Sequence, residues 1–153
     1  MNTRKITKAD FDQIVEVIDH WWGGPTSTAA FVHPIFFYEL GDNALVVEHD
    51  GFLVGFLLGF IHASTPKTGY VHLVGIHPEH RRKSVGRVLY ETFTESCQRL
   101  GCTRMKAITT TSNDGSIRFH QALGWTAEEI ENYAGPGRRR IVFTKELGAA
   151  ENS

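Results

Sequence analysis

The chain has 153 residues, 41% of them hydrophobic, and its 16 lysines and arginines nearly balance 17 aspartates and glutamates. This size and composition favour a single domain, which we place at residues 1–147, followed by a disordered tail at 148–153. A net charge near -1 argues against a nucleic-acid binder, which needs an excess of cations. The apolar run Phe52–Ile61 is too short to cross a bilayer, so we expect a cytoplasmic protein with no membrane partner.

Hydrophobic spacing and turn residues predict strands and helices along the first half of the chain. Thr7–Asp10 resembles a capping box, which begins a helix that ends near Trp21. A second helical stretch passes through Phe37 to Leu40, and Asp50–Gly51 is a strong hairpin signal. The strands predicted here are Thr3–Ile6, Ala44–Glu48, Phe52–Ala63 and Gly69–His77.

The second half begins with an amphipathic helix. Apolar residues from Val85 to Leu100 recur at helical spacing, and Gly101 fits the position just past the helix end. Another short helix is predicted at Ser116–Leu123. The remaining predicted strands are Met105–Thr110, Glu128–Tyr133 and Arg139–Lys145. Pattern alone therefore predicts a mixed α/β domain.

A short loop of cations and small residues joins the strand that ends near Ile76 to the amphipathic helix. Small residues let a backbone approach an anion closely, and the first amides of a helix have no intrahelical partners. The side chains of Arg81, Arg82, Lys83 and Arg87 add positive charge. The loop is therefore a candidate phosphate site, and a solvated basic turn is the alternative.

The spacing Arg81-x-x-Ser84-x-Gly86 resembles the R/Q-x-x-G-x-G/A acetyl-CoA loop of the GCN5-related N-acetyltransferases, the GNAT superfamily. Ser84 replaces the first glycine of that motif. A second stretch, Asn113–Trp125, resembles another signature of the family: an asparagine, a short helix and a glycine followed by an aromatic residue. The resemblance implies an α/β (α+β) fold with a mixed, mostly antiparallel central sheet flanked by helices. It also implies a V-shaped splay between the fourth and fifth strands.

The resemblance further implies an enzyme, an N-acetyltransferase that moves an acetyl group from acetyl-CoA to a primary amine by direct attack in a ternary complex. The acceptor would be a small-molecule amine or a protein or peptide amine, and a homodimer is expected from the family. No metal is expected, because the scattered histidines lack metal-ligand spacing. The acetyl-CoA contacts it implies are Val74, Ile76, Arg81, Arg82, Lys83, Ser84, Val85, Gly86, Arg87, Asn113, Ser116 and His120.

Two histidines are candidates for proton transfer. Tyr70 and His72 project from one face of their strand, near the place where the family's acetyl group lies, and an imidazole suits proton removal from an ammonium. His72 is therefore the candidate base, unless it only packs among its neighbours. His120 stands where many members have a tyrosine that protonates the leaving thiolate, so it is either that acid or a structural helix residue. Asn113 either contacts the cofactor or caps the helix.

The resemblance implies an acceptor site near Trp22, because the region between the first two helices often lines that site in the superfamily. Phe36 is a candidate neighbour, and the loop with Tyr133 is expected to frame the other mouth of the cleft. Core packing is the alternative for the aromatic residues. The arginines of the loop Asn132–Arg140 could meet an anionic acceptor or the 3′-phosphate of CoA, and a solvated hairpin turn is the alternative. A non-catalytic acyl-CoA-binding sensor or interaction module also fits the same motifs.

Overall fold

The computed structural model describes residues 1–21, 31–81 and 83–148. Every predicted strand and helix is present there, with bounds shifted by a few residues at most. The helices are α1 (Lys8–Trp21), α2 (Ile35–Tyr38), α3 (Val85–Arg99) and α4 (Asp114–Ala122). The strands are β1 (Asn2–Lys5), β2 (Leu45–His49), β3 (Phe52–His62), β4 (Thr68–Ile76), β5 (Arg104–Thr109), β6 (Thr126–Ile130) and β7 (Arg140–Glu146).

The strands follow the order β1-β2-β3-β4-β5-β7-β6 in one mixed sheet. The pairs β1/β2, β2/β3, β5/β7 and β6/β7 are antiparallel, whereas β4 and β5 are parallel. The fold class expected from the resemblance is therefore confirmed. A register shift marks a bulge between Val47 and Glu48 of β2. The splay between the fourth and fifth strands stays a prediction.

The residues group into two compact units, the first comprising 1–60 and 71–96 and the second 61–70 and 97–153. In the first unit, α1 buries Ile14, Ile18 and Trp21 against the sheet, and the indole of Trp21 stacks on Phe56 with ring centroids 5.9 Å apart. In the second unit, the fully buried Met105 and Phe143 anchor β5 and β7. Burial of these side chains supplies most of the stabilisation available to each unit.

Local sequence signals account for the ends of several elements. The predicted capping box is confirmed at α1, where Asp10 Oδ2 accepts a hydrogen bond from the Thr7 amide at 2.7 Å. Arg4 donates to both oxygens of the same carboxylate, at 2.6 and 3.0 Å. The hairpin signal is also confirmed, because Asp50 and Gly51 adopt φ of 52° and 81° between β2 and β3.

No helix in the described part of the chain is both long enough and apolar enough to cross a membrane.

Candidate active site

The predicted phosphate loop, residues 81–87, leads into α3 and belongs to the first unit. Ser84 adopts a φ of 67°, a left-handed conformation that L-residues rarely take. Its carbonyl accepts the first helical hydrogen bond, from the Val88 amide at 3.0 Å. Helix geometry leaves the amides of Val85, Gly86 and Arg87 without intrahelical partners. This arrangement of outward amides fits a pyrophosphate group.

The cations of the loop have different partners. The Arg81 guanidinium donates to the main-chain carbonyl of Trp21, which ties the loop to the end of α1. Arg87 lies 3.9 Å from Glu91 one turn along α3, and Lys83 is exposed. Arg82 lies outside the described residues. Lys83 and Arg87 are therefore the cations best placed to meet a phosphate in the described part of the loop.

Two glycines of the sheet allow α3 and Phe56 to pack closely against it. A Cβ added to Gly55 would lie 2.6 Å from Cγ1 of Val85, the first residue of α3. A Cβ added to Gly75 would lie 2.3 Å from the ring of Phe56, which is fully buried. Larger residues at either position would displace the helix or the aromatic ring. The start of α3 is thus positioned by the Val85 side chain, which packs directly against the backbone of Gly55.

The predicted one-sided face of β4 is visible in its burial. Tyr70, His72, Val74 and Ile76 are half-buried, and they alternate with the buried residues of the strand. His72 lies in the first unit, where its Nε2 is 2.9 Å from the carbonyl oxygen of Phe31. A carbonyl only accepts, so Nε2 carries a hydrogen and, in the neutral ring, Nδ1 is the basic nitrogen.

The environment of His72 favours the neutral imidazole. Burial lowers the pKa of His72, and the Phe31 carbonyl, which favours the charged form, compensates only in part. The ring also stacks on Phe36, with centroids 4.2 Å apart and an interplanar angle of 10°. The His72 imidazole is therefore held in one orientation and is uncharged at neutral pH.

The structure places Phe36 in the core of the first unit, where it is 8% exposed. Its ring contacts His72 and Phe60, at centroid distances of 4.2 and 6.4 Å. The predicted contact of Phe36 with the acceptor stays a prediction. Trp22, the other predicted acceptor residue near α1, lies outside the described residues.

Asn113 caps α4 in the second unit. Its Oδ1 accepts from the Ser116 amide at 3.1 Å, and its Nδ2 donates to Oγ1 of Thr109 at 3.1 Å. Both ends of the side-chain amide thus have a partner at the helix start. Asn113 therefore caps the helix, which was the structural alternative for this residue. The cofactor contacts of Asn113 and Ser116 stay predictions.

His120 is 5% exposed and lies among aromatic rings of the second unit. It stacks on Phe143 with centroids 3.9 Å apart and packs edge-on to Trp125 at 5.2 Å. Its Nδ1 is 2.8 Å from the Ser116 carbonyl oxygen, so this nitrogen carries a hydrogen. Burial lowers the pKa of His120, which disfavours the charged ring.

Tyr133 lies in the loop between β6 and β7, also in the second unit. The Lys106 ammonium lies 5.1 Å from the centroid of its ring. Burial raises the pKa of Tyr70, and the Tyr133 phenol adds to this shift, so Tyr70 remains a protonated donor. Sequence reasoning missed Lys106, because nothing local indicates that β5 and this loop meet.

Arg139 and Arg140, where the loop meets β7, have partners close by in sequence. Arg139 lies 2.9 Å from Glu131, and Arg140 donates to the Arg139 carbonyl at 2.7 Å. Asn132 Oδ1 accepts from the Gly137 amide at 2.7 Å, and the Arg138 amide donates to the Gly135 carbonyl at 2.9 Å. The loop is therefore closed by its own hydrogen bonds, and its predicted contact with an acceptor or a CoA phosphate stays a prediction.

Comparisons with known proteins agree with the fold and the motifs. A model of the acetyltransferase (GNAT) family matches residues 11–125. The L-methionine sulfoximine/L-methionine sulfone acetyltransferase of Salmonella typhimurium is 31% identical over 140 residues, covering 82% of this chain and 80% of that protein. The L-amino acid N-acyltransferase MnaT of Escherichia coli is 28% identical over 144 residues, covering 82% and 79%.

A solved structure with the same fold is the phosphinothricin acetyltransferase of Sinorhizobium meliloti in complex with acetyl-CoA. It superposes with a TM-score of 0.75 at 20% identity, covering 99% of this chain and 91% of that one. The chain belongs to the acetyltransferase (GNAT) family, so the resemblance carried by the two motifs is confirmed. It is accordingly an acetyltransferase by family.

Proposed function

We propose that the protein transfers an acetyl group from acetyl-CoA to the primary amine of a small amino acid, by direct attack in a ternary complex. The observation that carries the proposal is the orientation of His72. Its imidazole lies on β4, the strand that leads into the phosphate loop, and is oriented by the backbone carbonyl of Phe31. A module that only binds acyl-CoA has no need of an oriented, neutral base. The enzyme is therefore preferred to the non-catalytic sensor.

The phosphate loop supports the use of acetyl-CoA, which supplies the acetyl thioester. The amides of Val85, Gly86 and Arg87 would hold its pyrophosphate, with charge from Lys83 and Arg87. We include Arg82 among the residues that contact the cofactor because of the sequence motif alone, since it lies outside the described residues. The backbone of Val74 and Ile76 would hold the pantetheine arm, as the family resemblance implies.

His72 acts in this proposal as the general base. Its Nδ1 accepts a proton from the acceptor ammonium, directly or through water, and the ring becomes an imidazolium. The Phe31 carbonyl then stabilises that cation through Nε2–H, at 2.9 Å in the structure. Because burial lowers the pKa of His72, the base stays available below its ordinary pKa of about 6.5. Tyr70, on the same face of β4, stays a candidate catalytic residue, and burial raises its pKa so that the phenol keeps its proton.

For His120 the geometry supports the structural alternative. An acid catalyst of this kind needs a charged ring, and the burial that lowers the pKa of His120 opposes that charge. In the neutral ring the hydrogen sits on Nδ1, which faces the Ser116 carbonyl. We therefore assign His120 to the packing of α4 against Phe143. The neutral amine would attack the acetyl carbon, so that the C–N bond forms as the C–S bond breaks. The departing CoA thiolate would take up, through solvent, the second proton that the amine nitrogen releases.

The acceptor class is proposed from the relatives. One is named for acetylating L-methionine sulfoximine and sulfone, and another for acylating L-amino acids. Both names describe acceptors that are small amino acids, which favours the small-molecule amine over the protein or peptide amine. A cytoplasmic location and a homodimer belong to the proposal as well.

The test is release of CoA from acetyl-CoA in the presence of a panel of L-amino acids. We expect turnover with at least one of them, and His72→Gln should lower kcat by about 100-fold or more at neutral pH, as for loss of a general base. The loss should shrink as rising pH deprotonates the amine. His20→Gln, an exposed histidine on α1, is the matched control. Tight CoA binding without turnover of any amine would favour the sensor module.

A further inference from the structure

Lys106 differs from Arg104 and Arg139, two other cations of the second unit. It is half-buried on β5, on the face opposite the buried Met105 and Ala107. Arg104 lies 2.8 Å from Glu146, and Arg139 lies 2.9 Å from Glu131. Within residues 1–21, 31–81 and 83–148, by contrast, no carboxylate lies within ion-pair distance of Lys106, whose ammonium faces the ring of Tyr133. A partly buried cation without a counter-ion favours an anionic ligand.

Two phenols accompany Lys106: Tyr133, whose ring the ammonium faces, and Tyr70, which interacts electrostatically with Tyr133. Tyr133 is 36% exposed, and the hydrogen-bonded turn from Asn132 to Arg138 fixes its loop. Tyr70 lies on β4, the strand that also carries His72, and its raised pKa keeps the phenol protonated. An ammonium and two phenols can all donate to an anion with several oxygens.

We propose that Lys106, Tyr133 and Tyr70 form the site that recognises the carboxylate of the amino-acid acceptor, an inference that rests on the proposed function. A lysine repels the ammonium end of the acceptor and attracts its carboxylate, so it selects orientation as well as affinity. The sequence directs attention to the arginines of the same loop, but Arg139 already pairs with Glu131. Unlike Arg139, Lys106 has no carboxylate partner among the described residues, so in this proposal it supplies the positive charge for the carboxylate.

The first experiment compares L-amino acids with their carboxamides, which keep the amine and lose the negative charge. We expect the parent enzyme to prefer the acids. Lys106→Met should raise KM for the acid between about 10- and 100-fold, the loss expected for one charge-assisted hydrogen bond, and should leave the amide unchanged. Lys106→Arg should retain most of the preference, and Lys5→Met, which removes a surface charge paired with Asp42, is the control.

Equal kcat/KM for acids and amides in the parent, or a preference that survives in Lys106→Met, overturns the carboxylate site. A binding measurement separates this failure from failure of the proposed function. N-acetyl-L-methionine, which carries the carboxylate of the product class, should bind the parent and bind Lys106→Met at least about tenfold more weakly. Lys106-dependent binding without CoA release for any amine would refute the proposed function and support the site. Binding that ignores Lys106 refutes the site.

Discussion

Replacing Ser84 with glycine tests whether acetyl-CoA binding depends on the backbone amides of the phosphate loop or on the Ser84 side chain. Ser84 occupies the position of the motif's first glycine, and its φ of 67° explains why glycine is the usual residue there. An L-residue in the left-handed region costs roughly 1–2 kcal/mol. Glycine has more conformational freedom in the unfolded chain, which reduces the gain in folding stability by about 0.5–1 kcal/mol.

The expected net effect of Ser84→Gly is thus a stabilisation of about 0.5–1 kcal/mol, which raises Tm by roughly 1–4 °C in a domain of this size. Acetyl-CoA should bind at least as tightly as in the parent, because the backbone amides that would contact the pyrophosphate are unchanged and the exposed Ser84 side chain is gone. Thermal unfolding with and without acetyl-CoA, together with calorimetric titration of CoA, measures both quantities.

Asp50→Gly is the matched control, because Asp50 also has a positive φ, 52°, in the turn between β2 and β3. Its Tm should rise by a similar amount while CoA affinity stays at the parent value. A Ser84→Gly protein that melts lower than the parent would show that the serine side chain stabilises the loop. Weaker CoA binding by more than about threefold would refute the backbone-amide account of the site.

Two further predictions concern buried polar groups. Asp10→Asn should cost about 2–4 kcal/mol, since it breaks a largely buried pair with Arg4. Burial raises the pKa of Asp10, but the bonds from Arg4 and Thr7 lower it by more, so its stabilising contribution is present above about pH 4 and lost as pH falls through the lowered pKa. Urea unfolding of both proteins should therefore show a gap that closes in acid, and a gap independent of pH would contradict the charge argument. His120→Phe should keep the stack on Phe143 and retain kcat within about tenfold, whereas a loss of 100-fold or more would restore the acid role.

Local signals explain why the fold could be predicted from the sequence. Thr7–Asp10, Asp50–Gly51 and Asn113 each act through hydrogen bonds or dihedral angles within a few residues, and each forms the predicted structure. The alternating face of β4 is equally local, since it follows from the pleat of one strand. The helical spacing of the apolar residues from Val85 to Leu100 likewise placed the predicted phosphate loop at the start of α3.

The partners of the site residues could not be predicted, because they come from distant parts of the chain. Arg81 was expected to face phosphate, yet its guanidinium reaches the Trp21 carbonyl, 60 residues away in sequence. The Phe31 carbonyl that orients His72 is 41 residues away. A main-chain oxygen leaves no side-chain pattern, so spacing arguments cannot find it. Lys106 was missed because its contact with the Tyr133 ring also joins distant parts of the chain.

Burial has opposite consequences for the roles proposed for the two histidines. His72 and His120 both give a ring N–H to a carbonyl, and burial lowers the pKa of both. They differ in their aromatic neighbours and in exposure. His72 stacks on one aromatic ring at a half-buried strand face, whereas His120 is 5% exposed and packs against both Phe143 and Trp125. A base needs a neutral ring, which burial favours, and an acid needs a charged ring, which burial opposes. The same physical effect therefore supports catalysis at His72 and argues against it at His120.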